Sequence, residues 1–492
     1  MDNQNPAAES LTARASRGAF WALASNIAVS AVSFAGTVVL ARLLDPRDFG
    51  LLGMAVLVTG IVQLFGSLGL GGALIQKEEV SREGLSTVYW VNLAAGAALT
   101  LICLGISPLA AWFFEEDAVQ GLLVLLSFTF FISSLSSIHT TMLYKDLRMK
   151  QLAVIEISSR FLRVAVMLVA ACLGMGFWSL AIGMVVERIL KTGGLLLVFP
   201  WTPAFLFSWA KFQTLFRYGR NLFGNNFLTY LNRNMDFLIT GRVLGVELLG
   251  FYQMAYNLPF LLLQYVSDSI GSTSFPVFCK LQHDNQRLAG GYLRIVRCIA
   301  LGAFPVLAGL AYCAEDFIHV VYGARWLPAV TPLRILCLGA ALASIHSVVT
   351  PLLNAKGRPE ISFRWNAVRL PLTVIAILVG ARWLGLAGVA WAMLVVEVVS
   401  VVLVGIALRL IEQDLGAYFR SLVSSTVACA MMLGVLLVLN QPFLFGSWAP
   451  VLRLVANTAA GVGVYTATVY LFFRADLMEL MAFMQQMIRK SR

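Results

Sequence analysis

From about residue 19 to residue 473 the chain alternates long apolar runs with short polar breaks. The runs lie near 19–41, 49–73, 87–112, 119–143, 151–173, 177–199, 213–241, 248–275, 291–313, 328–353, 361–383, 386–410, 418–440 and 449–473. At about 1.5 Å per residue each can cross a hydrocarbon core of about 30 Å. Soluble helices alternate by face instead of staying apolar for about 20 residues at a time. The pattern therefore predicts an all-α integral membrane protein with about 14 transmembrane helices. The stretch before the first run is polar, with Asp2, Glu9, Arg14 and Arg17, and run 19–41 is too long for the core of a cleavable signal. A retained first span is expected.

Composition agrees with this pattern. Hydrophobic residues make up 59% of the chain and charged residues 12%, against roughly 45–50% and about 25% in soluble domains, so no water-soluble fold could hide the apolar surface. The net charge of +11 raises the possibility of nucleic acid, but its distribution decides against it. With the N-terminus cytoplasmic, 25 lysines and arginines fall on that side of the predicted spans and six on the other. By the positive-inside rule both termini are cytoplasmic and the basic balance needs no nucleic-acid partner. The seven cysteines show no Cys-x-x-Cys pair and no histidine cluster, so they read as small packing residues, with no metal or cofactor. Glu115, Glu116 and Asp117 read as a solvated external loop, and no extramembrane domain is left to house an active site.

Two segments look interfacial. Residues 200–220, overlapping the start of the seventh span, set Trp201, Phe205, Phe207, Trp209 and Phe212 beside basic residues. The stretch from Leu477 to Lys490 places Met478, Met481, Met484 and Ile488 among basic residues, the pattern of an amphipathic helix on the inner surface.

The chain also repeats itself. Residues 41–55 (ARLLDPRDFGLLGMA) and 241–255 (GRVLGVELLGFYQMA) share Arg, Leu, Gly, Met and Ala in register, at 42, 44, 50, 54 and 55 of the first copy. Both copies occupy the external turn after the first span of a group of six. An even repeat keeps its orientation, so two six-helix lobes are expected to form a parallel repeat around an axis along the membrane normal. The expected domains are a cytoplasmic segment 1–18, an N-lobe 19–199, the linker 200–220, a C-lobe 213–410, two additional spans within 418–473 and a tail 474–492.

Charge in mid-membrane costs about 2.5–3.5 kcal/mol per group on insertion scales, so polar residues within the runs are the candidates for function. On the seventh span Asn221, Asn225, Thr229, Asn232 and Asp236 draw one stripe at helical spacing, with Arg233 adjacent. Asn26, Ser30, Ser33 and Thr37 form a milder stripe on the first span, and Gln253, Asn257, Gln264 and Asp268 share a face of the eighth. The stripes read either as walls of a shared wet cavity or as interhelical hydrogen bonds that hold the bundle together. On the fifth span Glu156, Arg160 and Arg163 share a face, with Glu156 expected to pair with Arg160. Arg163 then lacks a partner on its own helix, which suits a phosphate or carboxylate ligand, or an ion pair to Glu187, Asp236, Asp268 or Glu397. Arg369 on the eleventh span is a candidate of the same kind. Asp236, Asp268, Glu397 and Glu156 are the carboxylates available to a coupling cation, while His139 and His346 read as polar packing residues. No phosphate-cradling glycine loop, paired-histidine motif or nucleophile constellation appears in a suitable context.

The run Ala41–Gly50 followed by 69–76 (GLGGALIQ), with Asn232, Asp236, Gly241, Gly245, Gly250, Tyr252, Ala255, Pro276, Leu281 and Gln282 in the second half, resembles the Wzx-type polysaccharide exporters of the multidrug/oligosaccharidyl-lipid/polysaccharide flippase superfamily. The resemblance covers nearly the whole chain. It implies a two-lobed fold in the cytoplasmic (inner) membrane that moves a polyprenyl pyrophosphate-linked oligosaccharide to the outer leaflet by alternating access. It further implies a groove for the lipid tail formed by the last two spans, H+ or Na+ as a coupling ion, and a polysaccharide polymerase and export proteins as partners. A lipid II flippase and a cation-coupled drug antiporter remain alternatives. A membrane glycosyltransferase or polymerase would need large external loops that this sequence lacks.

Overall fold

The computed structural model describes residues 11–66, 81–441, 448–474, 476 and 478, with side chains undescribed at 11–17, 19, 20, 23, 210–226 and 262–273. The expected tail helix and the run 69–76 therefore lie outside the described residues, Met478 excepted. Every regular element among the described residues is helical: α1 (Leu11–Leu43), α2 (Pro46–Gly66), α3 (Arg82–Phe114), α4 (Ala118–Ser134), α5 (Ser137–Lys145), α6 (Met149–Cys172), α7 (Phe177–Val198), α8 (Trp209–Val243), α9 (Val246–Leu281), α10 (Asn285–Tyr312), α11 (Ala314–Val321), α12 (Val330–His346), α13 (Val349–Ala355), α14 (Pro359–Val399), α15 (Val401–Arg409), α16 (Leu415–Leu439) and α17 (Pro450–Phe472), with one 3₁₀ turn at Ala324–Ala329.

Polar caps start several of these helices in an otherwise apolar sequence. Ser81 Oγ accepts from the Gly84 amide at the head of α3 (3.2 Å), Asp284 from the Arg287 amide at α10 (3.0 Å), and Asp414 from the Ala417 amide at α16 (2.8 Å). The outer faces are covered with large apolar side chains, such as Leu101, Trp112, Leu197 and Trp383, the last 80% exposed. So large an apolar surface is stable against lipid and unstable against water. The protein is a multi-pass membrane protein.

Eight described stretches are long and apolar enough to cross a membrane, nine when α4 and α5, bent by 47°, count as one span. Length and apolarity alone thus give fewer than the fourteen expected spans. Part of the shortfall is charge, since α6 carries Lys150, Glu156, Arg160 and Arg163, and α7 carries Glu187, Arg188 and Lys191. Another part is a reversal inside α14, where Gly385 breaks the helix at φ 57°. Gly380 and Gly388 on either side of the break face each other backbone to backbone, and a Cβ on either would overlap the carbonyl of the other. Only glycine permits that approach, which explains why two helical limbs can meet almost without a loop.

The chain divides into two units, one comprising Met1–Tyr230 with Met487–Arg492 and the other Leu231–Gln486, and the division falls inside α8. In the first unit α1 packs on α6, α6 on α7, α3 on α4 and α4 on α7. Its apolar contacts include Leu40, Leu44, Met167 and Leu180 at one end and Leu143, Leu152, Ile155 and Leu195 at the other. The linker after α7 is fastened to α3: Trp90 Nε1 donates to the Ala204 carbonyl (2.9 Å), and the Ala204 and Ser208 amides donate to Ser86 Oγ (3.0 Å) and Thr87 Oγ1 (3.1 Å). In the second unit α12 packs against α9, α10 and α14, and α16 and α17 pack on α10 and α11. Arg453 of α17 pairs with Asp316 of α11, and Tyr465 donates to the Leu301 carbonyl at 2.8 Å.

Candidate functional site

In the first unit the in-membrane charges gather between α6 and α7. Spacings of four and three set Glu156, Arg160 and Arg163 on one face of α6, and a spacing of four sets Glu187 and Lys191 on one face of α7. Gly183, one turn before Glu187, allows the two helices to approach: an added Cβ there would lie 3.2 Å from the Arg163 carbonyl. Side chains of ordinary length then bridge the gap. Arg163 Nη1 donates to Glu187 Oε2 at 3.0 Å, and Arg160 Nη2 lies 3.3 Å from Glu187 Oε1. Lys191 Nζ donates to Glu156 Oε1 at 2.8 Å.

This arrangement corrects the expected pairing. Glu156 does not pair with Arg160 along α6, because Lys191 on the neighbouring helix reaches it and Arg160 turns instead to Glu187. Of the partners open to Arg163, Glu187 is the one used. Two guanidiniums therefore share one carboxylate, and three cations face two carboxylates, with exposed Arg188 next to Glu187. The Nε atoms of Arg160 and Arg163 are buried and have no hydrogen-bond partner among the described residues. The cluster holds more positive charge than it neutralises internally, and its side chains retain 14–31% exposure.

The stripe on α1 is partly self-satisfied. Ser33 Oγ donates to the Val29 carbonyl (2.7 Å) and Thr37 Oγ1 to the Ser33 carbonyl (2.9 Å), whereas Asn26 is exposed and Ser30 half-buried. His139 is buried with Nε2 3.2 Å from the Trp201 carbonyl, the expected packing position.

The second unit assembles a different cluster. Arg369 and Glu397 lie on the two limbs of α14, roughly 24 Å and 18 Å of helix from the Gly385 reversal, so folding back brings them together. Arg369 Nη2 donates to Glu397 Oε1 at 2.5 Å, and His346 Nδ1 at the end of α12 lies 3.4 Å from Glu397 Oε2. On α8, Asn232 donates to the Asn366 carbonyl at 3.0 Å, and Asp236 accepts from the Tyr252 hydroxyl at 2.8 Å. Phe237, Tyr252, Tyr256 and Phe260 surround this pair, with Tyr256 and Phe260 stacked at 4.0 Å. Thr229 and Gln253 are half-buried, Gln253 Oε1 having no partner among the described residues, while Arg233 and Asn257 are exposed. The side chains of Asn225, Gln264 and Asp268 lie outside the described residues.

Sequence reasoning missed the Lys191–Glu156 pair, the sharing of Glu187 and the junction of His346 with Glu397, all of which depend on neighbouring helices. The spacing of Tyr252, Tyr256 and Phe260 at four-residue intervals was a legible sign of the aromatic face on α9. Among the described residues no group of three His, Cys, Asp or Glu side chains could hold a metal ion. The chemistry on offer is recognition: cations for an anion, amides and aromatic faces for a polar headgroup.

A profile described as polysaccharide biosynthesis protein matches residues 39–331, more than half the chain. The chain is 28% identical to the teichuronic acid biosynthesis protein TuaB of Bacillus subtilis over 86% of its length and 88% of that protein. It is 26% identical to the lipopolysaccharide biosynthesis protein WzxC of Escherichia coli, covering 85% of each. Its fold is similar to that of the lipid II flippase MurJ in an inward closed conformation, with a TM-score of 0.75, 15% identity and coverage of 93% of this chain and 100% of that one.

Proposed function

Because the chain belongs to the polysaccharide biosynthesis protein family, we propose that it is a flippase carrying a lipid-linked oligosaccharide, a glycan on polyprenyl diphosphate, from the cytoplasmic to the outer leaflet. The observation that carries this reading is the cation surplus at Arg160, Arg163 and Lys191 within membrane helices. Guanidinium pairs suit a diphosphate, whose two charges and several acceptor oxygens match their forked donors. With the N-terminus cytoplasmic, the cluster runs from mid-membrane, at Arg163 and Glu187, toward the inner surface, at Glu156 and Lys191, where such a headgroup starts.

The remaining assignments belong to the same proposal. The two compact units correspond to the N-lobe and C-lobe, with α16 and α17 as the additional pair; the protein resides in the inner membrane with both termini cytoplasmic. Arg160, Arg163 and Arg233, with the amides and hydroxyls of Asn26, Ser30, Ser33, Asn225, Thr229, Asn232, Gln253, Asn257 and Gln264, are the proposed headgroup contacts of the two units, each taken by itself. Asp236, Asp268, Glu397 and Glu156 are the carboxylates available for coupling to H+ or Na+. Transport needs no covalent step: water around the headgroup is replaced by fixed donors while the lipid tail stays in the bilayer, and access alternates between leaflets. An inside-negative potential favours outward movement of an anionic headgroup by about 2.3 kcal/mol per charge per 100 mV.

Deleting the protein should leave lipid-linked repeat units on the cytoplasmic face and abolish the surface glycan, measured by leaflet-specific labelling; intact glycan export would sink the reading. Arg163→Ala should lower export at least about tenfold with normal membrane abundance, because Arg160 remains to hold Glu187. The likeness to the MurJ fold favours lipid II as a second cargo reading. Its test is whether the protein supports growth when the resident lipid II flippase is depleted.

A further inference from the structure

The first unit contains an anion where the proposed substrate anion would bind, and the geometry points to a role for it. We infer that Glu187 is an exchangeable counter-anion: it holds Arg160 and Arg163 together in the empty carrier, gives way to the diphosphate, and returns to expel it. This rests on the diphosphate reading of the two arginines.

Several observations support the exchange. Glu187 gives one oxygen to each guanidinium, at 3.3 Å and 3.0 Å, so a single negative charge spans two positive ones. A diphosphate diester offers two negative charges over a similar span, and the same two guanidiniums match it better than they match a carboxylate. The Arg160 contact falls within ion-pair range but is not a formed hydrogen bond, in contrast to the Arg163 contact. One arm of the bridge is therefore held by charge more than by directional bonding. The buried, unpartnered Nε of each arginine shows that neither guanidinium has its full set of acceptors among the described residues. Once displaced, Glu187 has cations within reach: Arg188 follows it in sequence, and Lys191 lies one turn along α7, now held by Glu156 at 2.8 Å.

A carrier needs such a competitor. Two unopposed arginines would bind a diphosphate well, but binding that is equally strong before and after reorientation slows release. A tethered carboxylate weakens the loaded state and resets the site without any other anion.

The test uses the purified full-length chain in lipid nanodiscs, titrated with inorganic diphosphate by calorimetry, alongside glycan export in cells. Glu187→Gln should bind diphosphate about tenfold more tightly than wild type and export more slowly. Unchanged or weaker binding by the folded variant overturns the inference. Should Glu187→Gln not fold, Glu187→Gln with Arg160→Gln keeps the local charge of wild type. It should bind diphosphate more tightly than Arg160→Gln alone, and equal or weaker binding than that single variant overturns the inference. The diphosphate reading itself has a separate readout: if wild type does not bind diphosphate, or Arg163→Ala binds it equally well, that reading fails whatever Glu187 does.

Discussion

The two units use buried charge in opposite ways. Between α6 and α7, three cations meet two carboxylates, one carboxylate is shared by two arginines, and every member keeps some exposure. Around α14, one arginine and one histidine converge on Glu397, whose side chain is only 8% exposed, and Asp236 is enclosed with Tyr252. The first arrangement is under-neutralised and accessible, the conditions for exchanging partners with a ligand. The second closes around its carboxylates and gives Glu397 two partners of its own, the conditions for fixing helices in one geometry, with Arg369 keeping 23% exposure. Ion pairs inside a membrane protein thus do not share a single meaning; the ratio of charges and the access to them separate a site from a clamp.

The comparison breaks first at Glu397. Replacing it with Leu leaves Arg369 and His346, side chains 23% and 11% exposed, without their carboxylate, and removing one partner of a buried pair costs up to about 3–5 kcal/mol. Glu397→Leu should lower the unfolding temperature of the purified protein markedly, measured by scanning fluorimetry in detergent. Adding Arg369→Met should restore much of the loss, since the stranded cation is then gone. A stable single variant with defective export would instead place this cluster in the transport pathway, as the arginine-as-ligand reading of Arg369 expects.

Much of this contrast was hidden in the sequence, and the reasons are physical. The helices were legible because the bilayer demands long apolar runs, and the break between the runs ending at 383 and starting at 386 coincides with the Gly385 reversal. Glu156, Arg160, Arg163, Arg369 and Glu397 were legible too, as charges too costly to leave in lipid; Lys191, which falls on the cytoplasmic side of the charge count, and His346, which reads as packing, were not. The pairing was not legible either. Spacing along one helix favoured Glu156 with Arg160, but the partner that prevails, Lys191, is set by the α6–α7 contact near Gly183, which no single-helix period encodes. His346 and Arg369 likewise meet at Glu397 only after α14 folds back. Nor does the family specify the sugar: relatives of nearly equal identity are named for teichuronic acid and for lipopolysaccharide.

The smaller test lies in the first unit and asks whether accessibility alone accounts for the difference. Lys191 and Glu156 form a close pair at 2.8 Å, the same length as the Tyr252–Asp236 bond of the second unit, yet their side chains are 26% and 31% exposed. Water reaching a stranded carboxylate repays most of its lost partner, so Lys191→Met should cost only about 0.2–1 kcal/mol, the range of accessible pairs. In the same fluorimetry assay its unfolding temperature should stay close to wild type and well above that of Glu397→Leu. Export should fall because the surplus charge is lost, but less than in Arg163→Ala, since Arg160, Arg163 and Glu187 keep their contacts. If Lys191→Met unfolds as readily as Glu397→Leu, the first cluster is as locked as the second. Its surplus charge would then be part of the scaffold, and the distinction between an exchangeable site and a structural clamp would collapse.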